Sequence, residues 1–392
     1  MKKPRYAICD MRYARRKIQH THYRPTWAEV DLGAIKYNLS QVKRVIGKDT
    51  SILVAVKANA YGHGILEVSR VLVSSGVDFL GVGTTDEAVL LRNNGFKIPI
   101  LILGSILPSE AEAVIKNNIS HTVGSIELAS FINRVSARMG RRAKVHIKID
   151  TGMGRIGIWH KDAVCFIKEL VRFKNINIEG IFSHFPSADD NELLTRKQIR
   201  DFQAIINEIE SLGIDIRYKH MANSTALVGY KESHMNLVRP GLMLYGLYPL
   251  SYSSKRKAIL RPALSLKSRI SFIKDVPSGR TISYGGTYKT RRAAKVATIP
   301  IGYGDGYSRR LSNKGHVLVK GIRVKILGIV CMDQIMADVT NVPGVSVGDK
   351  VTLIGKDKGC GITVEEIAEI CETIPYEVVC WFDNRIPRIY IE

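Results

Sequence analysis

The chain reads Val54-Ala55-Val56-Lys57-Ala58-Asn59-Ala60-Tyr61-Gly62-His63-Gly64. Apolar residues lead up to Lys57 and glycines follow it, so the pattern predicts a buried β-strand that ends in a lysine and runs into a turn. Burial lowers the pKa of an amine and makes it a nucleophile or a base. The alternative is a structural lysine whose ammonium group extends from the strand end into solvent. The surrounding sequence must decide between these two roles.

The length and composition predict a protein of two domains without a membrane segment. A chain of 392 residues exceeds what one compact core usually fills. No apolar run reaches the ~18 residues that a membrane helix needs, and the basic opening lacks the apolar stretch of a signal peptide. The six cysteines have neither CxxC spacing nor the density of a disulfide scaffold. We therefore expect a cytoplasmic protein with reduced thiols and no metal site.

The net charge of +22 is a feature shared with many nucleic-acid-binding proteins. The basic residues are spread along the chain, with one local cluster before Trp27 that ends at Arg24. No recognition-helix or aromatic-interleaved motif accompanies them. We therefore expect no nucleic-acid partner and interpret residues 1–25 as a basic, solvated extension. Positive charge would also attract an anionic cofactor.

Short β-branched runs alternate with amphipathic stretches, which is the pattern of parallel βα units. Eight strands are predicted, at Ser51–Ala60, Asp78–Thr84, Pro99–Ser105, His121–Ser125, Lys144–Asp150, Ile178–His184, Tyr218–Ser224 and Leu237–Gly246. Eight alternations fit an α/β fold of the (β/α)8 barrel type, typically ~250 residues, better than an open doubly wound sheet. We place this barrel at residues 26–261.

After Arg261-Pro262 the alternation of Val, Ile, Gly and Lys predicts a smaller, mainly-β C-terminal domain at 262–392. The strand-like run Thr26–Val30 precedes the first barrel helix, and we expect it to pair with that domain.

Polar residues collect at the C-terminal ends of the predicted barrel strands, where such barrels carry their active sites. They are Lys57, Tyr61, Lys148, Asp150, Thr151, Arg155, His184, Asn223, Ser224 and Arg239. Taken singly, each has a structural alternative: the glycine-rich loop after Asp150 as a turn, His184 as a core histidine, Ser224 as a helix cap. Their recurrence at corresponding strand ends favours an active site.

Six short motifs follow one another along nearly the whole chain. They are the Lys57 stretch, Lys148-Ile149-Asp150-Thr151-Gly152-Met153-Gly154-Arg155, Ser283-Tyr284-Gly285-Gly286-Thr287-Tyr288, Ile301-Gly302-Tyr303-Gly304-Asp305-Gly306, Cys331-Met332-Asp333-Gln334 and Arg385-Ile386-Pro387-Arg388. In this order the motifs resemble those of bacterial alanine racemases, from about Thr26 to Ile391. The resemblance implies an isomerase that uses pyridoxal 5′-phosphate (PLP), held by Lys57, to interconvert L- and D-alanine and supply D-alanine for cell-wall peptidoglycan.

The predicted site offers the contacts that PLP needs. Small residues let backbone donors approach a phosphate. The phosphate-binding candidates are the Tyr61 hydroxyl, Ser224 and the amides of Gly241 and Leu242, with His184 and Asn223 as further cofactor-binding candidates. Arg239 at the pyridine nitrogen would keep that nitrogen unprotonated, and the weaker electron sink suits simple proton removal and return. Arg155 would hold the cofactor's phenolic oxygen and the substrate carboxylate.

Inverting a stereocentre requires acid/base groups on opposite faces of the carbanion, or one group that reaches both. Lys57 is one such group and Tyr284 is our candidate for the other. A tyrosine of pKa ~10 needs positive potential beside it, which a His184–Arg239 network would supply. The alternative is a hairpin tyrosine that packs beside two glycines.

The resemblance also implies a head-to-tail homodimer in which Tyr284 reaches the cofactor of the neighbouring subunit. It further implies a carbamate on Lys148, binding of the substrate carboxylate by Arg155 and the backbone of Met332, and an entrance lined by Tyr303.

Asn384 departs from the family pattern, which often has a tyrosine at this position. Asparagine is smaller and offers both a donor and an acceptor, so a substrate hydroxyl would be tolerated or bound. Serine racemases related to the family are similar here, and a serine or dual alanine/serine racemase is therefore the alternative. A PLP-dependent decarboxylase is less consistent with Arg239, because an acidic residue is expected in its place. A non-catalytic PLP carrier would lack the β domain and Tyr284.

Overall fold

The computed structural model describes residues 23–248, 258–382 and 384–392. Eight parallel strands form the barrel: β2 (Ser51–Ala55), β3 (Phe79–Val82), β4 (Ile100–Ser105), β5 (Ser120–Val123), β6 (Ala143–Asp150), β8 (Ile176–Phe182), β9 (Tyr218–His220) and β10 (Leu237–Val238). β10 pairs with β2, and the N–H of Arg239 donates to the carbonyl of Ala222 at 2.9 Å. The last strand thus lies between the first and the seventh and nearly closes the circle, which confirms the predicted barrel.

Helices alternate with the strands and cover the barrel: α1 (Leu32–Ile46), α3 (Ile65–Ser74), α4 (Thr85–Asn93), α5 (Ala111–Lys116), α6 (Ile126–Arg138), α7 (Ala163–Leu170), α8 (Glu192–Ser211) and α9 (Ser224–Gly229). The short element α2 (Lys57–Tyr61) is a single turn with left-handed backbone angles. Each longer helix buries one apolar stripe against the strands, as Ala129, Ile132 and Val135 do in α6. A short strand, β7 (Ile158–Trp159), pairs with the end of β6.

The C-terminal domain is built on a seven-stranded sheet: β1 (Thr26–Asp31), β11 (Leu264–Arg269), β16 (His316–Val319), β17 (Ile322–Lys325), β19 (Lys350–Asp357), β20 (Cys360–Ile362) and β21 (Arg388–Ile391). β1 runs antiparallel to β11 and parallel to β21, as predicted for Thr26–Val30. The N-terminal strand of the chain therefore belongs to the sheet of the C-terminal domain.

Smaller elements complete this domain. A three-stranded sheet contains β12 (Phe272–Val276), β15 (Ala294–Ile299) and β18 (Ile335–Asp338), and a hairpin contains β13 (Thr281–Ile282) and β14 (Tyr288–Lys289). Two helices, α10 (Val364–Ile370) and α11 (Pro375–Cys380), lie near the C terminus. A Cβ on Gly62 would lie 2.0 Å from the carbonyl oxygen of Val379, so α11 packs directly against the turn that follows Lys57.

Three of the predicted barrel strands are too long by four residues or more. The strand predicted at Tyr218–Ser224 ends at His220, and Ser224 already begins α9. The strand predicted at Ser51–Ala60 ends at Ala55, because the residues from Ala58 onward have left-handed backbone angles. The strand predicted at Leu237–Gly246 ends at Val238, and Leu242–Tyr245 form a 3-10 helix instead. Pro240, which lacks an N–H to pair within a sheet, lies between these two elements.

Candidate active site

Lys57 begins a left-handed turn directly after β2. The four residues from Ala58 to Tyr61 have φ between +51° and +53°. This conformation costs an L-residue roughly 1–2 kcal/mol. The N–H of Ala60 donates to the carbonyl of Val56 at 2.8 Å and closes the turn. Consecutive strained residues that are not glycine are typical of functional sites, and here they place Lys57 at the C-terminal end of the barrel.

The carboxylate of Glu87 holds this turn against the next strand. It accepts hydrogen bonds from the N–H of Ala58 at 2.6 Å and from the N–H of Gly83 at 2.8 Å. Lys57 itself is half-buried. Burial has the largest effect on the pKa of Lys57 and lowers it, and the cation of Arg155 lowers it further. The carboxylate of Glu87 raises this pKa by a smaller amount. The Lys57 amine therefore loses its proton more readily than an exposed lysine does, as a nucleophile or base requires.

The predicted phosphate-binding groups meet between β2, β10 and α9. The hydroxyl oxygen of Ser224 accepts the N–H of Gly241 at 2.9 Å, which leaves the serine O–H available to donate. A Cβ on Gly241 would lie 2.9 Å from the hydroxyl oxygen of Tyr61, so a side chain there would fill this space. Within the described ranges the N–H of Leu242 has no hydrogen-bond acceptor. These groups surround a small space with donors.

The chemistry of this donor set fits a phosphate. Burial raises the pKa of Tyr61, and the neighbouring Tyr376 adds to the effect, so the Tyr61 hydroxyl stays protonated and can donate. Hydroxyl and backbone N–H donors without a carboxylate are suited to an anion. Asn223 has a structural task beside them, because its side-chain oxygen accepts the N–H of Ala226 at 2.9 Å and caps α9.

Arg239 is a buried cation that has only neutral partners among the described residues. One guanidinium nitrogen bonds to Nδ1 of His220 at 2.8 Å, and the other donates to the carbonyls of Ser183 at 2.7 Å and Met221 at 2.9 Å. The same nitrogen lies 3.4 Å from Nδ1 of His184. Burial lowers the pKa of Arg239 to about 9. The Nε–H is left without a partner in the described parts of the chain, so this cation can donate to an aromatic nitrogen.

Arg239 fixes the protonation of the histidines behind it. Because arginine only donates, Nδ1 of His220 is an acceptor and the proton of the neutral ring is on Nε2. That Nε2–H donates to Nδ1 of His146 at 2.9 Å. Burial, and after it the charge of Arg239, hold the pKa values of His220 and His184 well below the usual range and lower the pKa of His146 to about 3. All three rings are therefore neutral near pH 7.

The glycine-rich loop after β6 is organised by Asp150. Its carboxylate accepts the backbone N–H groups of Gly152, Met153 and Gly154 at 2.8–3.1 Å. Arg155 follows on the same loop and is exposed in the single chain. An exposed guanidinium on a loop that is fixed at its base is able to bind an oxyanion.

Lys148 is fully buried at the same end of the barrel. Its ammonium nitrogen donates to the carbonyl of Ile149 at 2.7 Å. Burial, and after it the charge of Arg239, lower the pKa of Lys148 to about 7. Positive charge is therefore in excess at this end of the barrel, and it favours an anionic ligand. It comes from Lys57, Lys148, Arg155 and Arg239.

A second group of predicted site residues lies in the C-terminal domain. Tyr284 is at the tip of the β13–β14 hairpin. Tyr303 and Met332 are on two neighbouring loops. The backbones of these loops are in contact, because the N–H of Tyr303 donates to the carbonyl of Cys331 at 3.0 Å. The side chains of Tyr284, Tyr303 and Met332 are 70 %, 44 % and 53 % exposed. Asn384 is also exposed and precedes Arg385, whose guanidinium donates to the carboxylate of Asp333 at 2.6 Å.

The single chain does not bring these two groups together. In the described parts of the chain, no hydrogen bond, ion pair or ring contact joins the residues of the barrel group to those of the domain group. The barrel group consists of Lys57, Tyr61, Arg155, His184, Ser224 and Arg239, and the domain group consists of Tyr284, Tyr303 and Met332.

Three positioning residues were not predicted from the sequence. Glu87 was detectable, since Thr84-x-x-Glu87 has the form of a helix capping box. His220 was detectable only as another polar residue at a strand end. Gln198 lies on the buried face of α8 and donates to the hydroxyl of Thr151 at 3.2 Å, which is itself 2.7 Å from the hydroxyl of Ser183. A buried glutamine in an apolar helix stripe is the signal that could have revealed it.

The described residues were also compared with the requirements for a membrane-spanning helix, a metal site and a disulfide bond. None of their helices has both the length and the apolar character to cross a membrane. No cluster of three or more His, Cys, Asp or Glu side chains in these ranges could hold a metal ion. The five cysteines in the described part of the chain have free thiols.

Comparison with known proteins places the chain in a family. The family model for the alanine racemase N-terminal domain matches residues 30–249, and that for the alanine racemase C-terminal domain matches residues 263–390. An alanine racemase of Halothermothrix orenii is 47 % identical over 368 residues, which cover 94 % of this chain and 97 % of that protein. The solved structure of an alanine racemase of Clostridium difficile 630 is 40 % identical, with a TM-score of 0.90 over 95 % of this chain and 97 % of that one.

A histidine racemase of Leuconostoc mesenteroides subsp. sake NBRC 102480 has a similar structure. It is 30 % identical, with a TM-score of 0.86 over 94 % of this chain and 98 % of that one. The two family models cover both domains, and the positions of all six motifs lie within the matched ranges. The chain therefore belongs to the alanine racemase family.

Proposed function

We propose that the protein is a PLP-dependent racemase that interconverts L- and D-alanine by proton transfer at Cα and supplies D-alanine for cell-wall synthesis. The observation that carries the proposal is the arrangement at the C-terminal end of the barrel. A lysine of lowered pKa, a phosphate-sized group of donors and a buried arginine without a carboxylate partner face one end of the strands. Alanine is the proposed substrate because the relatives of 40 % identity or more described above are named alanine racemases.

The barrel residues divide the task of holding the cofactor. Lys57 would bind it covalently, Tyr61, Ser224 and Leu242 would donate to its phosphate, and Arg239 would donate to its ring nitrogen. PLP, when bound, withdraws electrons from Cα of the amino acid and makes the Cα proton removable. Among the described residues Arg239 bonds only to neutral groups, so it would donate to the ring nitrogen and leave that nitrogen unprotonated, which would favour return of the proton over other outcomes.

Two groups move protons in this scheme. The Lys57 amine removes or returns the proton on one face of Cα, and the Tyr284 hydroxyl serves the opposite face. Arg155 and the backbone N–H of Met332 bind the substrate carboxylate. This contact orients Cα so that each of its two faces lies towards one of the two bases.

Tyr284 can serve this site only from a second copy of the chain. Tyr284, Tyr303 and Met332 form an exposed aromatic and apolar group, and exposed groups of this kind often mark an interface. A head-to-tail homodimer would place each such group over the barrel end of the other subunit. We place the reaction in the cytoplasm, since free thiols are typical of a reducing compartment.

The direct test is to incubate the purified protein with PLP and L-alanine, and in parallel with L-serine, and to separate the enantiomers by chiral chromatography. We expect D-alanine to form until both enantiomers are equal. Conversion of serine alone would support the serine racemase alternative. Release of carbon dioxide with loss of the amino acid would indicate decarboxylation and would exclude the proposal.

Asn384 is expected to set how serine is treated relative to alanine. The substitution Asn384→Tyr would crowd a substrate hydroxyl and remove its partner, so kcat/KM should fall more for L-serine than for L-alanine, by at least the ~1 kcal/mol of one hydrogen bond. Asn384→Leu, similar in size but without donor or acceptor, separates the loss of the bond from the loss of space. Equal effects on both substrates would show that side-chain selection lies elsewhere.

The Lys148 amine is expected to form a carbamate as the pH rises through about 7. Burial and Arg239 lower its pKa to about 7, so the amine is neutral above this value. The neutral nitrogen bonds to the carbon of CO₂ and releases a proton, and the resulting anion would pair with Arg155. With ¹³C-bicarbonate, NMR should detect a carbamate carbon at about pH 8 that declines by about pH 6. A signal of equal size in Lys148→Met would assign it to another amine.

A further inference from the structure

Four charged side chains join the loops that carry Tyr303 and Met332 to the two ends of the chain. Both guanidinium nitrogens of Arg24 bond to the carboxylate of Asp305, one of them at 2.7 Å. Arg385 donates to the carboxylate of Asp333 at 2.6 Å and lies 3.4 Å from the carboxylate of Asp305. We call Arg24, Asp305, Asp333 and Arg385 the loop clamp. Its N-terminal member is the last cation of the basic cluster that precedes Trp27.

Asp305 is the buried centre of the clamp. Its side chain has no exposed surface, and it also accepts the N–H of Gly302 at 2.9 Å. Loss of Arg24 would leave this buried carboxylate with only the more distant Arg385 as a cation, which is costly, whereas an exposed ion pair contributes little. Arg24 is 27 % exposed and precedes Asp305 by 281 positions in the sequence. The loop that carries Asp305 therefore depends on a residue that lies before the barrel segment of the chain.

The clamp also binds the backbone of each of the two loops. Arg24 donates to the carbonyl of Asp333 at 3.2 Å, and Arg385 donates to the carbonyl of Gly304 at 3.0 Å. Between these contacts the two loops touch closely, since a Cβ on Gly302 would lie 2.2 Å from the carbonyl oxygen of Cys331. The N–H groups of Tyr303 and Gly304 donate to the carbonyls of Cys331 and Met332 at 3.0 and 2.9 Å, and Arg24 and Arg385 add charged contacts that fix the same two loops from outside.

We propose that Arg24 is a positioning residue for substrate binding, acting through Asp305 on Tyr303 and the Met332 backbone. The proposal rests on the proposed function, in which Tyr303 lines the entrance and Met332 binds the substrate carboxylate. Arg24 touches neither substrate nor cofactor. Its loss should misplace the two loops and weaken substrate binding, while proton transfer by Lys57 and Tyr284 is affected less.

The test compares Arg24→Ala and Arg24→Lys with Arg138→Ala, the matched control. Arg138 forms an ion pair with Glu112 in which both side chains are well exposed. We expect Arg24→Ala to raise KM for L-alanine about tenfold or more, because displacement of a positioned group by about 1 Å can cost up to ~10²-fold. kcat should fall less than KM rises. Arg24→Lys keeps one charged contact and should lie between Arg24→Ala and wild type, and Arg138→Ala should match wild type.

Two readouts do not depend on turnover. Amide hydrogen exchange without substrate should increase in peptides covering residues 302–306 and 331–334 of Arg24→Ala, and added guanidinium ion at millimolar concentration should restore both slow exchange and KM. Removal of residues 1–22 should leave KM unchanged, whereas removal of residues 1–24 should reproduce the Arg24→Ala effect. If Arg24→Ala does not fold, Arg24→Lys takes its place in the exchange and KM measurements.

The proposal is overturned if the Arg24 variants keep wild-type KM and wild-type exchange in these two peptides. It is also overturned if exchange rises evenly over the whole chain and guanidinium does not restore KM, since Arg24 would then contribute only to overall stability. If wild type does not racemise alanine, the proposed function fails, and the exchange and rescue measurements still decide whether the clamp exists.

Discussion

Replacing Lys57 with alanine should abolish racemisation and the absorbance of protein-bound PLP together. Lys57 lies at the end of β2 with a lowered pKa, beside donors suited to a phosphate and to a ring nitrogen. Its loss removes both the covalent attachment and one of the two bases. A single base is worth about 10²–10⁴-fold in rate, so activity should fall by at least that factor. Absorbance spectra and borohydride reduction follow the protein-bound PLP, and chiral chromatography measures racemisation.

The control for this variant is Lys144→Ala, which removes a lysine near the opposite end of a barrel strand, where it pairs with Glu179. It should keep wild-type absorbance and activity. A yellow adduct that borohydride can still reduce in Lys57→Ala would assign the attachment to another amine and would refute the role given to Lys57.

Tyr284→Phe should retain PLP and lose racemisation by about 10²–10⁴-fold, because it removes only the hydroxyl that serves the second face of Cα. Exchange of the Cα proton with solvent should persist for the enantiomer that Lys57 serves. The measurement is deuterium incorporation into L- and D-alanine, followed separately in D₂O. Tyr288→Phe, on the same hairpin, is the matched control and should exchange both enantiomers like wild type. Deuterium entering both enantiomers of Tyr284→Phe at the wild-type rate would rule out the two-base scheme.

Much of the fold follows from the periodicity of the sequence. Buried parallel strands read as short β-branched runs, and each is followed by a helix with one apolar face, so the order of barrel elements was predictable. The mainly-β character of the C-terminal domain followed from the alternation of residues, and the pairing of Thr26–Val30 with it was expected because this strand-like run precedes the first barrel helix. The domain limits at 26–261 and 262–392 stay a prediction, and most of the proposed extension at 1–25 lies outside the described residues.

The site residues that could be predicted are those whose burial costs free energy. Lys57 and Arg239 each follow an apolar run, and burying a cation is unfavourable unless it is paired or has a function. The left-handed turn from Ala58 to Tyr61 could not be predicted, because alanine and tyrosine seldom adopt positive φ and tertiary contacts such as those of Glu87 enforce it.

Long-range partners were also beyond local sequence reasoning. The bond between Arg24 and Asp305 spans 281 positions, and nothing in the spacing of either motif points to the other. Likewise, the contact between the N–H of Gly241 and Ser224 appears only when β10 closes the barrel beside α9. Tyr284 was predicted from chemistry, and the single chain leaves it exposed, so the role proposed for it requires a second copy of the chain.

Mixing Lys57→Ala subunits with Tyr284→Phe subunits tests most directly whether one site is built from two chains. Each variant alone is inactive under this account. In a mixed dimer one site lacks both groups, whereas the other has an intact Lys57 from one subunit and an intact Tyr284 from its partner. After unfolding and refolding an equimolar mixture, we expect about a quarter of wild-type activity, because about half of the dimers are mixed and each has one intact site. No activity in a mixture shown to contain mixed dimers would mean that each subunit uses its own tyrosine, and would contradict the shared site.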